Sequence, residues 1–218
     1  MSQSALERDW IRRGLQAADV KERLRCFKAA LQVNPSSVEA AHLLGYTYLH
    51  AGDTKKAVRW FERTVEADPR HWAAWNNLAI AFIERGDLES ALEAVNRSLD
   101  VNPDNPAALD TRSEIYFKTG DHKHAKRDAK DAIELLVAGT TGEVPHGEPW
   151  ARLGTMYQKK GKLKKAWKYF RRALDYQLDP RDVEWITSQL AKLKRDLRAY
   201  VKKKMEKLQR FLKEIEAT

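Results

Sequence analysis

Three prolines, Pro35, Pro69 and Pro103, recur at a strict interval of 34 residues, each inside a turn tripeptide: Val33-Asn34-Pro35, Ala67-Asp68-Pro69 and Val101-Asn102-Pro103. A fixed period of this length marks stacked supersecondary units, none of which can bury its apolar face alone. Each unit reads as two amphipathic helices around a short turn. In the second unit these are Ala41 to His50, then Ala51-Gly52-Asp53, then Lys55 to Ala67. The glycine ends the first helix, and Asp53 or Thr54 caps the second. Gly86-Asp87, Gly120-Asp121 and Gly161-Lys162 repeat the break in later units.

The unit from Val38 carries Ala41, Leu44, Gly45, Tyr48, Ala57, Phe61 and Pro69, and the unit from Trp72 carries Trp75, Leu78, Ala79, Phe82, Ala91, Val95 and Pro103. A later unit carries Trp150, Leu153, Gly154, Tyr157, Ala166 and Phe170. The unit from Pro106 keeps Leu109, Tyr116 and Ala125 but has Arg112 in place of Leu and Ala129 in place of the aromatic, which predicts looser packing. This pattern resembles the tetratricopeptide repeat family, including its adaptor and co-chaperone-like members. The resemblance implies an all-α fold, a right-handed α-solenoid of helix-turn-helix repeats with a concave inner face and a long C-terminal capping helix. The small residues let paired helices approach closely and the large ones fill the space between turns. Trp75, Trp150, Tyr48, Tyr116, Tyr157, Phe61 and Phe170 are therefore expected in the core.

The expected organisation is a degenerate N-terminal repeat over 1–37, repeats over 38–71 and 72–105, a weaker repeat over 106–137, an insertion loop over 138–147, a repeat over 148–181 and a basic helix over 182–218. In the first of these, Phe27, Ala30 and Pro35 fit, but Arg23 takes a small-residue position and Trp10 to Gly14 fits only if the turn is shortened. The insertion AGTTGEVPHG adds seven residues to the period and reads as a kink or a binding loop.

Charge separates the chain into two regions. Residues 1–149 hold 20 Lys/Arg against 23 Asp/Glu, whereas residues 150–218 hold 20 against 8, so the whole surplus of +9 belongs to the last third. From Asp182 onward there is no Gly or Pro, and Ile186, Leu190, Leu193, Leu197, Val201, Met205 and Leu208 make one apolar stripe that continues through Leu212 and Ile215. Its first half covers the last repeat. The second half is left to project, to pair with a second copy as a homodimer, to fold back into the groove, or to receive another protein. Lys194, Arg198, Lys202, Lys203, Lys204 and Lys207 form a basic surface opposite it, which reads as a solvated face, an anionic protein contact, or a contact with a polyanion such as RNA, DNA or acidic lipid.

One cysteine, Cys26, excludes an intramolecular disulfide and a multi-cysteine zinc site. No apolar run approaches the roughly 20 residues of a membrane span, and the start MSQSALERDW lacks the apolar stretch of a signal peptide. A cytoplasmic protein is expected. No phosphate loop, dinucleotide fingerprint or nucleophile elbow occurs, and the six histidines lack ligand spacing, so no cofactor, metal or enzymatic activity is expected.

In the family the concave face is lined by the first helix of each repeat. Its positions here are Glu39, His42, Tyr46 and His50, then Asn76, Asn77, Ile80 and Glu84, then Asp110, Thr111, Glu114 and Lys118, then Arg152, Thr155 and Lys159. Asn76 and Asn77 are suited to the backbone of an extended peptide, and Tyr46 and Ile80 to apolar side chains. The carboxylate clamp by which co-chaperones of the family grip chaperone C-termini needs Lys and Asn, then Asn, then Lys and Arg. Asn77 fits the middle position, but His42 and Tyr46 precede it and Ala107 and Thr111 follow. Shifted back one repeat, Arg8 and Arg12 are followed by Leu43, Ala73 and Asn77. Neither frame completes the clamp, so the expectation is a protein-binding scaffold or adaptor holding a peptide or helix by another mode, with nucleic-acid association through the basic last third as the alternative.

Overall fold

The computed structural model describes residues 2–139, 146–176 and 178–216. Residues 140–145 of the expected insertion lie outside the described residues, as do the side chains of Leu212 and Ile215. In chain order the helices are α1 Gln3–Gln16, α2 Val20–Val33, α3 Val38–His50, α4 Thr54–Ala67, α5 Trp72–Arg85, α6 Leu88–Val101, α7 Pro106–Lys118, α8 His122–Ala138, α9 Glu148–Lys159, α10 Leu163–Ala173 and α11 Pro180–Glu216. The chain is an all-α solenoid made of two compact units, Met1–Asp121 and His122–Thr218.

In the first unit the 34-residue period is a period of helix ends. Helices α2, α4 and α6 stop before Asn34, Asp68 and Asn102, whose φ values are −132°, −136° and −134°. Proline forces this conformation, because its Cδ excludes the helical region for the residue before it. Each of these residues still donates its amide to the carbonyl four back, at 2.8 to 2.9 Å. Three residues further on, the side chains of Ser37, His71 and Asn105 accept from the amides of Ala40, Ala74 and Ala108 and open the next helix. Asp19, Asp53 and Asp87 cap α2, α4 and α6 in the same way. Such a cap contributes about 1 kcal/mol. Between Asp caps and preceding helices the chain turns through Gly52 and Gly86, both at φ +79°, where a Cβ is unfavourable.

Within a repeat the two helices meet at one close contact. A Cβ added to Gly45 of α3 would stand 2.8 Å from two ring carbons of Phe61 in α4. Gly154 of α9 makes the same approach to Phe170 of α10, and Gly14 of α1 to Phe27 of α2. All three rings are at most 2% exposed. Where Val95 replaces the ring, Ala79 stands in the glycine register, and both are fully buried.

The N-terminal repeat keeps this contact with its turn shortened. Gly14 and Phe27 are 13 residues apart against 16 for Gly45 and Phe61, and Arg23 donates its Nε to the Ala17 carbonyl of that turn at 2.8 Å. In the weaker repeat, Arg112 is half-buried and bonds Asn96 of α6 at 3.1 Å, while the small residues Ser113, Ala125 and Ala129 are fully buried.

A core cluster of the second unit is formed by Leu136 of α8, Trp150 and Tyr157 of α9, Phe170 of α10, and Ile186, Leu190 and Leu193 of α11. Trp150 stacks on Tyr176 at 4.3 Å and Phe170 meets Trp185 edge-on at 5.6 Å. Helix α11 starts two residues before the expected Asp182, because Pro180 suits a first helical position and the Asp179 carbonyl accepts from Asp182 and Val183. From Arg198 to Arg210 every residue is exposed. Of the aromatics expected inside, Tyr48, Phe61, Trp150, Tyr157 and Phe170 are buried, and Trp75 and Tyr116 are half-buried.

Gly45→Ala is expected to lower stability by about 1 to 3 kcal/mol, the cost of overpacking against a ring that has nowhere to move. Adding Phe61→Leu in the same chain should cost less than it does in the wild-type background, as urea unfolding of the four proteins of the cycle would measure.

Candidate functional site

The inner side of the first unit can be read from which helices touch. Helix α3 contacts α5 and α5 contacts α7, whereas α4 and α6 make no comparable contact, so the odd-numbered helices line the shorter side of the stack. The residues expected on that side fall into three groups. Glu39, Tyr46, His50, Glu84 and Lys118 are exposed or partly so, and His42, Asn77, Ile80 and Glu114 are half-buried. Tyr46 is 43% exposed and its ring lies 4.2 Å from that of His50. One turn separates them on α3, so they form a single aromatic step.

Asn76, Asp110 and Thr111 are the least exposed of the residues expected at the site. They are 6%, 7% and 8% exposed. Thr111 donates its hydroxyl to the Ala107 carbonyl of its own helix. The Asn76 Oδ1 has no hydrogen-bond partner among the described residues and faces no solvent. Of the pair, Asn76 is buried and Asn77 is half-buried.

Asn77 is itself engaged. Its Nδ2 lies 3.0 Å from Nε2 of His42, one repeat earlier. His42 packs on Phe61 at 5.9 Å and on His71 at 4.6 Å, ring to ring. Burial drives its pKa down from 6.5 to about 4, and the neighbouring His71 adds repulsion. The neutral ring accepts from the Asn77 amide at Nε2 and carries its proton on Nδ1. His71 in turn accepts the Ala74 amide at its Nδ1, 3.1 Å away. Sequence reading missed this linkage. The signal was present, since His71 stands in the 34-residue register of the caps Ser37 and Asn105.

Arg152, Thr155 and Lys159 lie on α9 in the second unit, half-buried, half-buried and exposed, and Thr155 bonds the Ala151 carbonyl. Lys194, Arg198, Lys202, Lys203, Lys204 and Lys207 are all exposed on α11. Three of them, Lys194, Arg198 and Lys202, flank a groove of about 850 Å³ between α10 and α11, whose wall includes Trp167. Trp167 was not singled out from the sequence, although it stands three residues from Lys164 on the same helix face. Basic side chains also surround Tyr157. Burial raises its phenol, but the Lys126 hydrogen bond and the charges of Lys126, Lys165 and Lys130 outweigh that and lower its pKa. Among the described residues no group of three His, Cys, Asp or Glu side chains could hold a metal ion, and no helix is long and apolar enough to cross a membrane.

Family models described as tetratricopeptide repeat match residues 15–79, 51–115 and 147–180. No curated protein matches the chain. Among solved structures, TTC0263, a thermophilic TPR protein of Thermus thermophilus, is similar at 24% identity over 86% of this chain and 98% of that one, with a TM-score of 0.69. MamA is similar at 25% identity over 72% and 88%, with a TM-score of 0.59. PilF of Pseudomonas aeruginosa is similar at 14% identity over 91% and 93%, with a TM-score of 0.69.

The depressed His42 pKa sets the sign of a pH effect. The unfolded chain binds this proton near pH 6.5 and the folded chain only near pH 4, so the stability it confers is complete above pH 6.5 and lost as pH falls through about 4. Between about pH 7.5 and pH 5 wild type should lose about 2 kcal/mol from this group. His42→Gln should flatten the dependence. Equal losses in both proteins, measured by urea unfolding at the two pH values, would assign it elsewhere.

Proposed function

The chain belongs to the tetratricopeptide repeat family, and on that premise we propose that it is a non-enzymatic protein-interaction scaffold whose first unit holds a peptide or helix of a partner on the face of α3, α5 and α7. The observation that carries this reading is the exposed Tyr46–His50 step on α3, with half-buried Ile80 in the same 34-residue register on α5 and exposed Glu39 and Glu84 on those two helices. Exposed aromatics beside an apolar floor give a partner side chain an anchor, and the surrounding acids favour a basic or neutral segment. The less exposed residues, Asn76, Asn77, Asp110 and Thr111, then serve as the backing of the face and not as its contacts. The non-enzymatic reading rests on the motif search, in which acids and histidines form no acid-base or nucleophilic constellation.

The second reading, nucleic-acid association, draws on the exposed run Lys202, Lys203 and Lys204. The two make opposite predictions. With a partner captured from the source cell and identified, Tyr46→Ala with His50→Ala should weaken binding about tenfold or more, and Lys202→Glu with Lys203→Glu and Lys204→Glu should leave it intact. Association with RNA that falls steeply with added salt and disappears in the triple charge reversal would replace the scaffold reading.

A further inference from the structure

We propose that the groove between α10 and α11 docks one acidic amphipathic helix of another protein. This goes beyond the first-unit face and uses none of its residues. The floor is apolar: Trp167 from α10, and Leu197, Val201 and Met205 from α11. Val201 and Met205 are 51% and 57% exposed, and Leu208 extends the stripe at 59%. So large an apolar strip left in water is unfavourable by its area and marks a contact surface.

The rims are basic: Lys164 on one helix, and Lys194, Arg198 and Lys202 on the other. None of these four has an ion-pair partner among the described residues. Some exposed cations elsewhere are paired locally, as Arg12 is with Asp9 and Lys56 with Asp53. The rims thus offer uncompensated charge on both sides of an apolar floor.

Shape and charge select the occupant. The stripe from Lys194 to Leu208 spans about 21 Å of helix, the length of about four turns of a partner packed alongside. A second copy of α11 is a poor occupant, since residues 191–210 hold nine Lys/Arg against two acids, Asp196 and Glu206, and self-pairing sets cation against cation. Trp167 in the groove lining is half-buried, which suits a side chain inserted between two helices over contact with a flat bilayer. Single-stranded nucleic acid stacks on aromatic platforms, whereas the α11 side of this floor is aliphatic. A helix with leucines on one face and glutamates flanking them satisfies floor and rims together. Glu206 also lines the groove and is its one acid against four cations, so the rims keep a net positive charge.

The test uses the full-length protein and a fluorescein-labelled peptide of about 16 residues, with leucines at alternating spacings of three and four and glutamates beside them. Its control is a shuffled peptide of identical composition. Anisotropy titrations should show binding of the first peptide, and binding about tenfold weaker for the shuffled one. Met205→Glu, and separately Lys194→Gln with Arg198→Gln, should each weaken the first peptide about tenfold. These three side chains are exposed, and an unchanged circular dichroism spectrum checks that the fold survives. The proposal is overturned if the shuffled peptide binds equally well or if both variants bind like wild type. It is equally overturned if light scattering gives a wild-type dimer that Met205→Glu dissociates, or if phosphatidylserine vesicles or a short single-stranded RNA bind more tightly than the peptide in a manner that Met205→Glu abolishes.

Discussion

The approach of a glycine to a phenyl ring is the contact on which the rest of this molecule depends. Two helices joined by a short turn can pack at many angles, and a large side chain meeting a bare backbone patch selects one. Gly14 with Phe27, Gly45 with Phe61 and Gly154 with Phe170 fix that angle in three repeats. Once it is fixed, the next repeat meets a defined surface, and the caps that end and restart each helix keep the units in register. The N-terminal repeat shows the order of priority. Its turn is shorter and a small residue has become Arg23, yet the glycine still reaches the ring.

The features legible in the sequence were those that a short stretch of chain determines alone. A proline and the residue before it, an Asp at a cap, or a glycine at a left-handed turn carry their structural consequence with them, and a regular interval multiplies the signal. What was not legible depended on neighbours one repeat away. Asn76, Asp110 and Thr111 occupy positions expected on the inner face, and their burial cannot be read from any one helix alone. Asn77 and His42 are 35 residues apart, and each alone reads as a free groove residue. The long helix was legible in its extent. That its stripe and Trp167 bound a groove was not, because the angle between α10 and α11 is set by Phe170, Ile186 and Leu193 in the core.

Charge follows the same division. The surplus of +9 is not spread over the molecule, and the two units present different chemistry to a partner. The first offers aromatic and acidic groups on short helices. The second concentrates lysines strongly enough to lower the pKa of a buried phenol. An interaction with one unit is thus expected to differ in salt sensitivity from an interaction with the other.

Helix α11 is one continuous 37-residue element whose first half is anchored by Ile186, Leu190 and Leu193. The costly step in making a helix is its first turn, and here the core supplies that turn. The exposed half therefore grows from an existing template, one hydrogen bond per residue, and stays ordered where the same peptide cut free would be largely coil. Its order has a direction. Amide exchange should quicken steadily from the anchored turns toward Arg210, so that protection falls with distance from the core while the base of α11 remains part of the unit.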